Sequence, residues 1–173
     1  LGRLPFQLSI RLPMAGKRGD AFSFFFEVLT VPVKGFKKGF GIATLEDIST
    51  LILNSHDLDE TLKNIVRLVA RRMETEACSI YLLEKPEGLL RLKATKGLSQ
   101  KAVGKVVLRV GEGLTGLVVE KRQVVSRREP EKDPRNRYFA VTREELYHSF
   151  LGIPLFDRKE PIRVLVVQTT APR

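Results

Sequence analysis

Cysteine and histidine are scarce in this sequence, which has one cysteine and two histidines in 173 residues. The single thiol, Cys78, excludes an internal disulfide framework and is typical of a protein from the reducing cytosol. Metal sites built from these side chains need several of them at paired spacings, and the sequence contains no such spacing. We therefore expect a cytoplasmic protein with no metal and no cofactor.

Long hydrophobic runs are also absent. The most apolar stretch, AFSFFFEVLTVPV at residues 21–33, is 13 residues long and contains Glu27 and Pro32. A membrane-spanning helix needs about 20 apolar residues, and a signal peptide needs a cleavage site of small residues, which this stretch does not supply. We expect neither a membrane span nor a signal peptide in this sequence.

Acidic residues are few at the N-terminal end. Residues 1–43 contain seven Lys and Arg against two Asp and Glu, whereas residues 44–173 contain 23 against 18, which divides the net charge of +10 evenly. Such a basic segment could bind nucleic acid or anionic lipid. Because no aromatic–basic recognition pattern accompanies it, we favour a solvated or poorly ordered extension over residues 1–41. We expect no nucleic-acid partner.

Helical patterns begin at residue 42, where the irregular residue pattern of the N-terminal segment ends. TLEDISTLILNS, residues 44–55, has apolar residues at helical spacing with Thr44 as a possible N-cap. HDLDETLKNIVRLVARRM, residues 56–73, repeats the pattern with Asp57 as N-cap and with Arg71 and Arg72 in the last turn, where they suit the helix dipole. The apolar stripes predict either core packing or a helix bundle between two copies.

The rest of the sequence predicts short strands joined by turns and short helices. Strands are predicted over residues 77–84, 89–97, 105–110, 123–126, 149–157 and 162–170. One helical turn is predicted over 98–104, a helix of about eight residues within 111–122, a polar loop over 127–137 and a short helix within 138–148. This order is typical of an α+β fold with an antiparallel sheet, because regular βαβ alternation is missing.

GEGLTG, residues 111–116, places Gly111, Gly113 and Gly116 in the G-x-G-x-x-G pattern of dinucleotide-binding turns. The surrounding unit argues against that function, since it spans about 22 residues rather than roughly 30 and its helix is too short to cross a sheet. No acidic residue at the end of its second strand is positioned for a ribose hydroxyl. We expect a structural turn in which Gly111 and Gly113 permit positive φ and Gly116 lets the helix lie close to the sheet.

Several motifs resemble those of a known family: CSIYLL, ATKGLS-x-x-AVGKV, GEGLTGLVVEK, DPR-x-RYF and YHSFLGIPLF. On these motifs the sequence resembles GAF domains, and among them the N-terminal GAF domain of nitrogen-branch phosphoenolpyruvate–protein phosphotransferases. NifA-like regulators begin with the same type of module. The resemblance implies an α+β fold, a GAF-like antiparallel sheet flanked by helices, over residues 42–173, with residues 1–41 as an extension that has no counterpart in the family.

The resemblance also implies a regulatory role. Members of the phosphotransferase family have a sensory GAF domain followed by a catalytic half that autophosphorylates from phosphoenolpyruvate, and glutamine acting through the GAF domain lowers that reaction. None of the catalytic half is present here, and the family continues beyond the position of Arg173. We therefore expect a non-catalytic sensor domain, a glutamine-like amino acid as ligand, and a homodimer formed through the N-terminal helices.

Two positions depart from the family pattern. Residues 125–128 (VSRR) stand where the family usually has a polar-acidic stretch, and Arg163 stands where a glycine usually opens the final strand. The first bears on the ligand site and the second on the edge of the sheet.

The candidate ligand site lies between the sheet and the segment 97–147. An amino acid carries a carboxylate, which needs an arginine or free N–H groups at a helix start, and an ammonium group, which needs carboxylates or carbonyls. The candidates at the helix start and along the loop are Glu112, Gly113, Leu114, Thr115, Gly116, Arg137, Tyr138, Phe139 and Ser149. The alternatives are that Tyr138 and Phe139 pack as a lid and that Glu112 is only a helix-start charge.

The remaining reactive residues have plainer interpretations. His56 lies in a Ser-His-Asp string, but a catalytic triad needs spatial neighbours, so a helix boundary is the simpler interpretation. His148 is expected at a pocket wall or a strand boundary, and Cys78 is expected to be a small buried residue. We expect no catalytic residues in this chain.

Overall fold

The fold is built around a six-stranded antiparallel sheet, seen in a computed structural model that describes residues 57–142, 147–157 and 159–171. The strands are β1 (Ala77–Glu84), β2 (Leu89–Lys96), β3 (Val107–Arg109), β4 (Val125–Arg128), β5 (Ser149–Asp157) and β6 (Glu160–Thr169). They lie in the order β3-β2-β1-β6-β5-β4, and every neighbouring pair is antiparallel. The α+β arrangement predicted from the sequence is confirmed.

Helix α1 (Leu58–Arg72) covers one face of the sheet. Asp57 caps it as predicted, because its side chain accepts a hydrogen bond from the backbone N–H of Glu60 at 2.7 Å. The apolar stripe of α1 is buried against β1 and β2, whereas Leu58 in its first turn is 52% exposed. The stripe of α1 therefore lies in the core, which was one of its two predicted uses.

The opposite face of the sheet is covered by a second helix, α2 (Gly113–Lys121). Leu117 and Val118 of α2 are fully buried and pack with Leu92 and Val164 of the sheet. One hydrophobic cluster therefore lies on each face of the sheet. Along the strands, side chains alternate between the two clusters. The central strands β1 and β6 supply residues to both clusters.

A shift of register between β1 and β2 changes which face the β2 side chains occupy. Ile80 pairs with Ala94, but the next residue, Tyr81, pairs with Leu92, so Lys93 is the extra residue of a bulge. Ala94 packs in the α1 cluster, while Leu92 packs in the α2 cluster. A strict alternation of apolar and basic residues along β2, as the sequence suggested, does not describe this strand.

One local prediction is wrong and another is tested only in part. The fourth strand was predicted over residues 123–126, but β4 is Val125–Arg128, because Arg127 and Arg128 pair with Phe150 and Ser149 of β5. Strand pairing overrides the polar character of the two arginines at this exposed edge. The short helix predicted within residues 138–148 stays a prediction, because residues 138–142 contain a turn and no helix. Residues 143–146 are outside the described ranges.

Several other predictions fall outside the described residues. These are the extension over residues 1–41, its boundary with the domain at residue 42, the helix predicted over 44–55, and His56. Within the described ranges, no helix is long and apolar enough to cross a lipid bilayer.

Candidate ligand site under the crossover loop

A cavity of about 380 Å³ lies between the α2 face of the sheet and the crossover loop, by which we mean residues 129–142. The loop is fixed at both ends: Glu129 donates its backbone N–H to the carbonyl of His148, and the carbonyl of Thr142 accepts from the N–H of Ser99. The volume is within the range of small-molecule sites and near its lower end. The cavity thus has room for a small metabolite.

The first turn of α2 forms one wall. Gly113, Leu114 and Thr115 line the cavity, and the first N–H groups of a helix have no partners within the helix. Glu112 is the N-cap residue, but its side chain makes no capping hydrogen bond. Its carboxylate instead accepts from the N–H of Arg109 at 2.9 Å and pairs with Arg137 Nε at 3.3 Å. The side chain of Glu112 therefore does not cap the first N–H groups of α2, at the end of the helix that lines the cavity.

The glycines of the GEGLTG turn set this geometry. Gly111 and Gly113 have φ of +83° and +64°, the left-handed region expected for a strand-to-helix turn. A Cβ atom added to Gly116 would lie 2.4 Å from the carbonyl oxygen of Arg109, the last residue of β3. The turn therefore closes against the end of the sheet only with glycine at this position.

Acidic side chains lie on the other side of the cavity. Glu131 and Asp133 of the crossover loop line it, and Glu131 lies 3.4 Å from Nδ1 of His148. Asp133 accepts hydrogen bonds from Arg127 Nε at 2.7 Å and from the N–H of Arg135 at 2.9 Å. The hydrogen bond from Arg127 is the main reason that the pKa of Asp133 falls below its ordinary value of 3.8.

The floor is mostly aromatic. Tyr81 and Phe150 of the sheet and Tyr147 beside β5 are buried and line the cavity, and the Tyr147 hydroxyl donates to the carbonyl of Gly97 at 3.0 Å. Gln168 of β6 adds a carboxamide to this floor and is 6% exposed. The walls thus combine open N–H groups, carboxylates and apolar rings, a set suited to a small zwitterion.

The structure brings six of the nine predicted site residues to the cavity wall: Gly113, Leu114, Thr115, Arg137, Tyr138 and Phe139. Glu112 lies behind the wall and holds Arg137. Gly116 faces the turn, and Ser149 hydrogen-bonds with the hydroxyl of Thr169. Whether any of the nine contacts a ligand stays a prediction.

Sequence reasoning did not select several other wall residues: Tyr81, Pro130, Glu131, Asp133, Asn136, Tyr147, Phe150 and Gln168. Gln168 carried a usable signal, because it is a polar residue inside the apolar strand pattern IRVLVVQTT. Glu131 and Asp133 carried no such signal, since a charged, proline-containing loop usually faces solvent.

The one cysteine takes no part in this site. Cys78 is fully buried in β1 on the α1 face, and burial raises the pKa of its thiol well above the ordinary value. Among the described residues, no three His, Cys, Asp or Glu side chains lie close enough together to hold a metal ion. The N–H groups and polar side chains that line the cavity among the described residues can bind a polar organic ligand.

The sequence profile of the GAF domain matches residues 57–173. The chain is 32% identical over 119 residues to a phosphoenolpyruvate-dependent phosphotransferase system protein of Escherichia coli K12, covering 69% of this chain but 16% of that protein. It is also 32% identical over 79 residues to the Nif-specific regulatory protein of Azospirillum lipoferum, covering 46% of this chain and 12% of that protein. The chain therefore spans a small part of the curated relatives that it matches.

Solved structures agree with the sequence relatives. The GAF domain of the Acinetobacter phosphoenolpyruvate-protein phosphotransferase is 33% identical with a TM-score of 0.64, covering 77% of this chain and 80% of that chain. The corresponding GAF domain from Coxiella burnetii is 30% identical with a TM-score of 0.65, covering 77% and 83%. Beyond these, a free methionine-R-sulfoxide reductase from Neisseria meningitidis shares the fold at 18% identity and a TM-score of 0.60, covering 92% of this chain and 81% of that chain. The fold, the profile and these relatives together show that the chain belongs to the GAF domain family.

Proposed function

We propose that the chain is the ligand-sensing, non-catalytic domain of a nitrogen-branch phosphoenolpyruvate–protein phosphotransferase. Its ligand is an amino acid such as glutamine, bound in the cavity under the crossover loop. Binding lowers autophosphorylation of a catalytic half that lies outside this sequence. The similarity to the GAF domains of two phosphotransferases supports the parent protein.

The observation that carries the ligand assignment is the open start of α2 facing two carboxylates across one small cavity. The N–H groups of residues 113–115 would bind the ligand carboxylate, because a helix start attracts anions. Glu131 and the carbonyls of the crossover loop would accept from the ammonium group. Asp133 already accepts two hydrogen bonds, so it contributes charge rather than a free acceptor.

Calorimetry with the 173-residue chain tests this assignment. We expect heat of binding with L-glutamine at millimolar concentration and a matching rise of the thermal unfolding midpoint, since a ligand that binds only the folded state stabilises it. 2-Oxoglutarate lacks the ammonium group and should bind more weakly. If neither L-glutamine nor 2-oxoglutarate produces heat of binding or a thermal shift, the proposed sensing function is wrong.

The link to phosphorylation needs the parent protein. The reading frame downstream of this sequence should encode a phosphotransferase catalytic domain, and glutamine should slow phosphoryl transfer from phosphoenolpyruvate in that longer protein. A reading frame that encodes a transcriptional activator instead would support the second candidate, the sensor domain of a NifA-like regulator. The similarity to a Nif-specific regulatory protein favours that candidate.

A third candidate is a GAF domain that dimerises and binds no ligand. We expect a homodimer in either case, formed through the helix predicted over residues 44–55, because the stripe of α1 is used in the core. Light scattering after gel filtration measures this directly. Dimer formation together with silent calorimetry would favour the interaction domain over the sensor.

A further inference from the structure

Gln168 occupies an unusual position at the cavity floor. It lies in β6, where its backbone pairs with Ala77 of β1 on one side and with Phe150 of β5 on the other. The sheet therefore fixes where the side chain begins. Its neighbour Val167 packs in the α1 cluster, so alternation places Gln168 on the α2 face, where it lines the cavity.

The carboxamide of Gln168 lies at the cavity, where it lines the wall. Gln168 is 6% exposed as a whole residue, but its carboxamide is not among the fully enclosed side-chain atoms that lack a hydrogen-bond partner in the described residues. A ligand that covers this amide without hydrogen-bonding to it would bury it unsatisfied, which is unfavourable. The hydroxyl of Tyr147, another wall residue, already donates to Gly97. Gln168 thus differs from Tyr147 and Asp133, whose polar atoms already have protein partners.

We propose that Gln168 selects ligands by the group at the end of their side chain, and that it prefers a primary amide. This inference rests on the proposed function, since it takes an amino acid as the ligand. A carboxamide carries an acceptor oxygen and a donor NH₂ group side by side. A ligand amide satisfies both at once, in a reciprocal pair of hydrogen bonds.

Other side-chain ends satisfy at most half of this pair. A ligand carboxylate accepts from the NH₂ group but brings a second oxygen against the oxygen of Gln168. An apolar side chain leaves both groups unsatisfied. Tyr81 and Phe150 line the same cavity and are buried, which limits the water that could replace a missing partner. Gln168 therefore separates glutamine from glutamate and from apolar amino acids of similar length.

The test compares Gln168→Met with a matched control, Gln123→Met, in the full chain. Gln123 is exposed and lies outside the cavity, so the same chemical change is made where no ligand is expected. Circular dichroism and thermal unfolding establish that both variants fold. Calorimetry then measures the binding of L-glutamine, L-glutamate and L-norleucine, the last of which has a side chain without an amide.

We expect Gln168→Met to weaken glutamine binding about tenfold and to leave norleucine binding unchanged or stronger. The preference for glutamine over glutamate should fall with it, and Gln123→Met should bind like the wild type. An equal loss for all three amino acids would mean that Gln168 has only a structural role.

A second variant covers the case in which Gln168→Met does not fold. Gln168→Glu keeps the shape and supplies only acceptors, so it should bind glutamine but reject glutamate more strongly than the wild type does. If the wild type binds glutamine and both variants discriminate as it does, this inference is wrong and the proposed function stands. If the wild type binds no glutamine, the proposed function and this inference are both wrong.

Discussion

At the scale of single residues, two glycines show how one position can fix a turn of the backbone. Gly116 has no room for a side chain, since an added Cβ would meet the backbone of β3 and of the turn itself at 2.4–3.0 Å. Gly88, in the β1–β2 turn, has a positive φ but open space around it. The two glycines are therefore needed for different reasons, one for contact and one for conformation.

We expect Gly116→Ala to lower the free energy of unfolding by about 3 kcal/mol. Gly88→Ala should cost about 1–2 kcal/mol, the penalty of the left-handed region alone. Urea unfolding measures both. Gly116→Ala should also weaken ligand binding, because the start of α2 moves with the turn. Equal losses of stability in the two variants would contradict the close contact at Gly116.

At the scale of elements, a charge pair joins β4 to the crossover loop. Arg127 lies in the edge strand and Asp133 in the loop, and their hydrogen bond holds the loop over the sheet. The pKa of Asp133 is lowered in the folded protein, so the stabilisation is complete above pH 3.8 and is lost as the pH falls through the lower folded value. The charged form is the one that the fold stabilises.

Asp133→Asn should therefore lower the thermal unfolding midpoint at pH 7 and have less effect in acid. The difference from the wild type should shrink as the pH falls below 3.8, because protonation then removes the same charge from Asp133 in the wild-type protein. Glu87→Gln, which removes an exposed carboxylate in the β1–β2 turn, is the control. A difference that stays constant from pH 7 to pH 2.5 would show that the charge pair does not stabilise the loop.

The elements themselves could mostly be predicted from the sequence. Helical spacing and the Asp57 cap predicted α1 within two residues at its start, and turn residues bounded β1, β2 and β5 closely. The edge strand β4 was displaced, because its pairing with β5 depends on residues about 24 positions away along the chain. The crossover loop was recognised as polar, but its inward-facing acids could not be distinguished from solvent-facing ones. Their orientation depends on Arg127 and on the α2 start, which only the fold brings near.

At the scale of the whole molecule, the sheet separates two tasks. The face under α1 is closed by an apolar core, while the face under α2 carries the cavity together with its own core. The GAF domain family and the antiparallel sheet could be inferred from the sequence. The position of Gln168 at the cavity could not be predicted, because it follows from the register of β6 against its neighbours. A shift of one residue would turn its side chain to the α1 face.

Removing a side chain from the α1 core should destabilise the whole domain. Ile65 is 1% exposed in that core, and we expect Ile65→Ala to lower the free energy of unfolding by about 2–5 kcal/mol. Leu58→Ala in the same helix should change it by less than about 0.5 kcal/mol, because Leu58 is mostly exposed. Chemical unfolding gives both values. A small effect of Ile65→Ala would mean that the stripe is not core.

The side chain of Glu112 illustrates how stability and binding compete at one position. A serine or aspartate there could cap α2, and such a cap typically adds about 1 kcal/mol to stability. The N–H groups that it would occupy are those that the proposed ligand needs. Glu112 directs its carboxylate to Arg109 and Arg137 instead, so the empty domain remains below its attainable stability. If the proposed amino acid binds there, it acts as an exchangeable helix cap, and the folded domain is then more stable when the metabolite is abundant than when it is scarce.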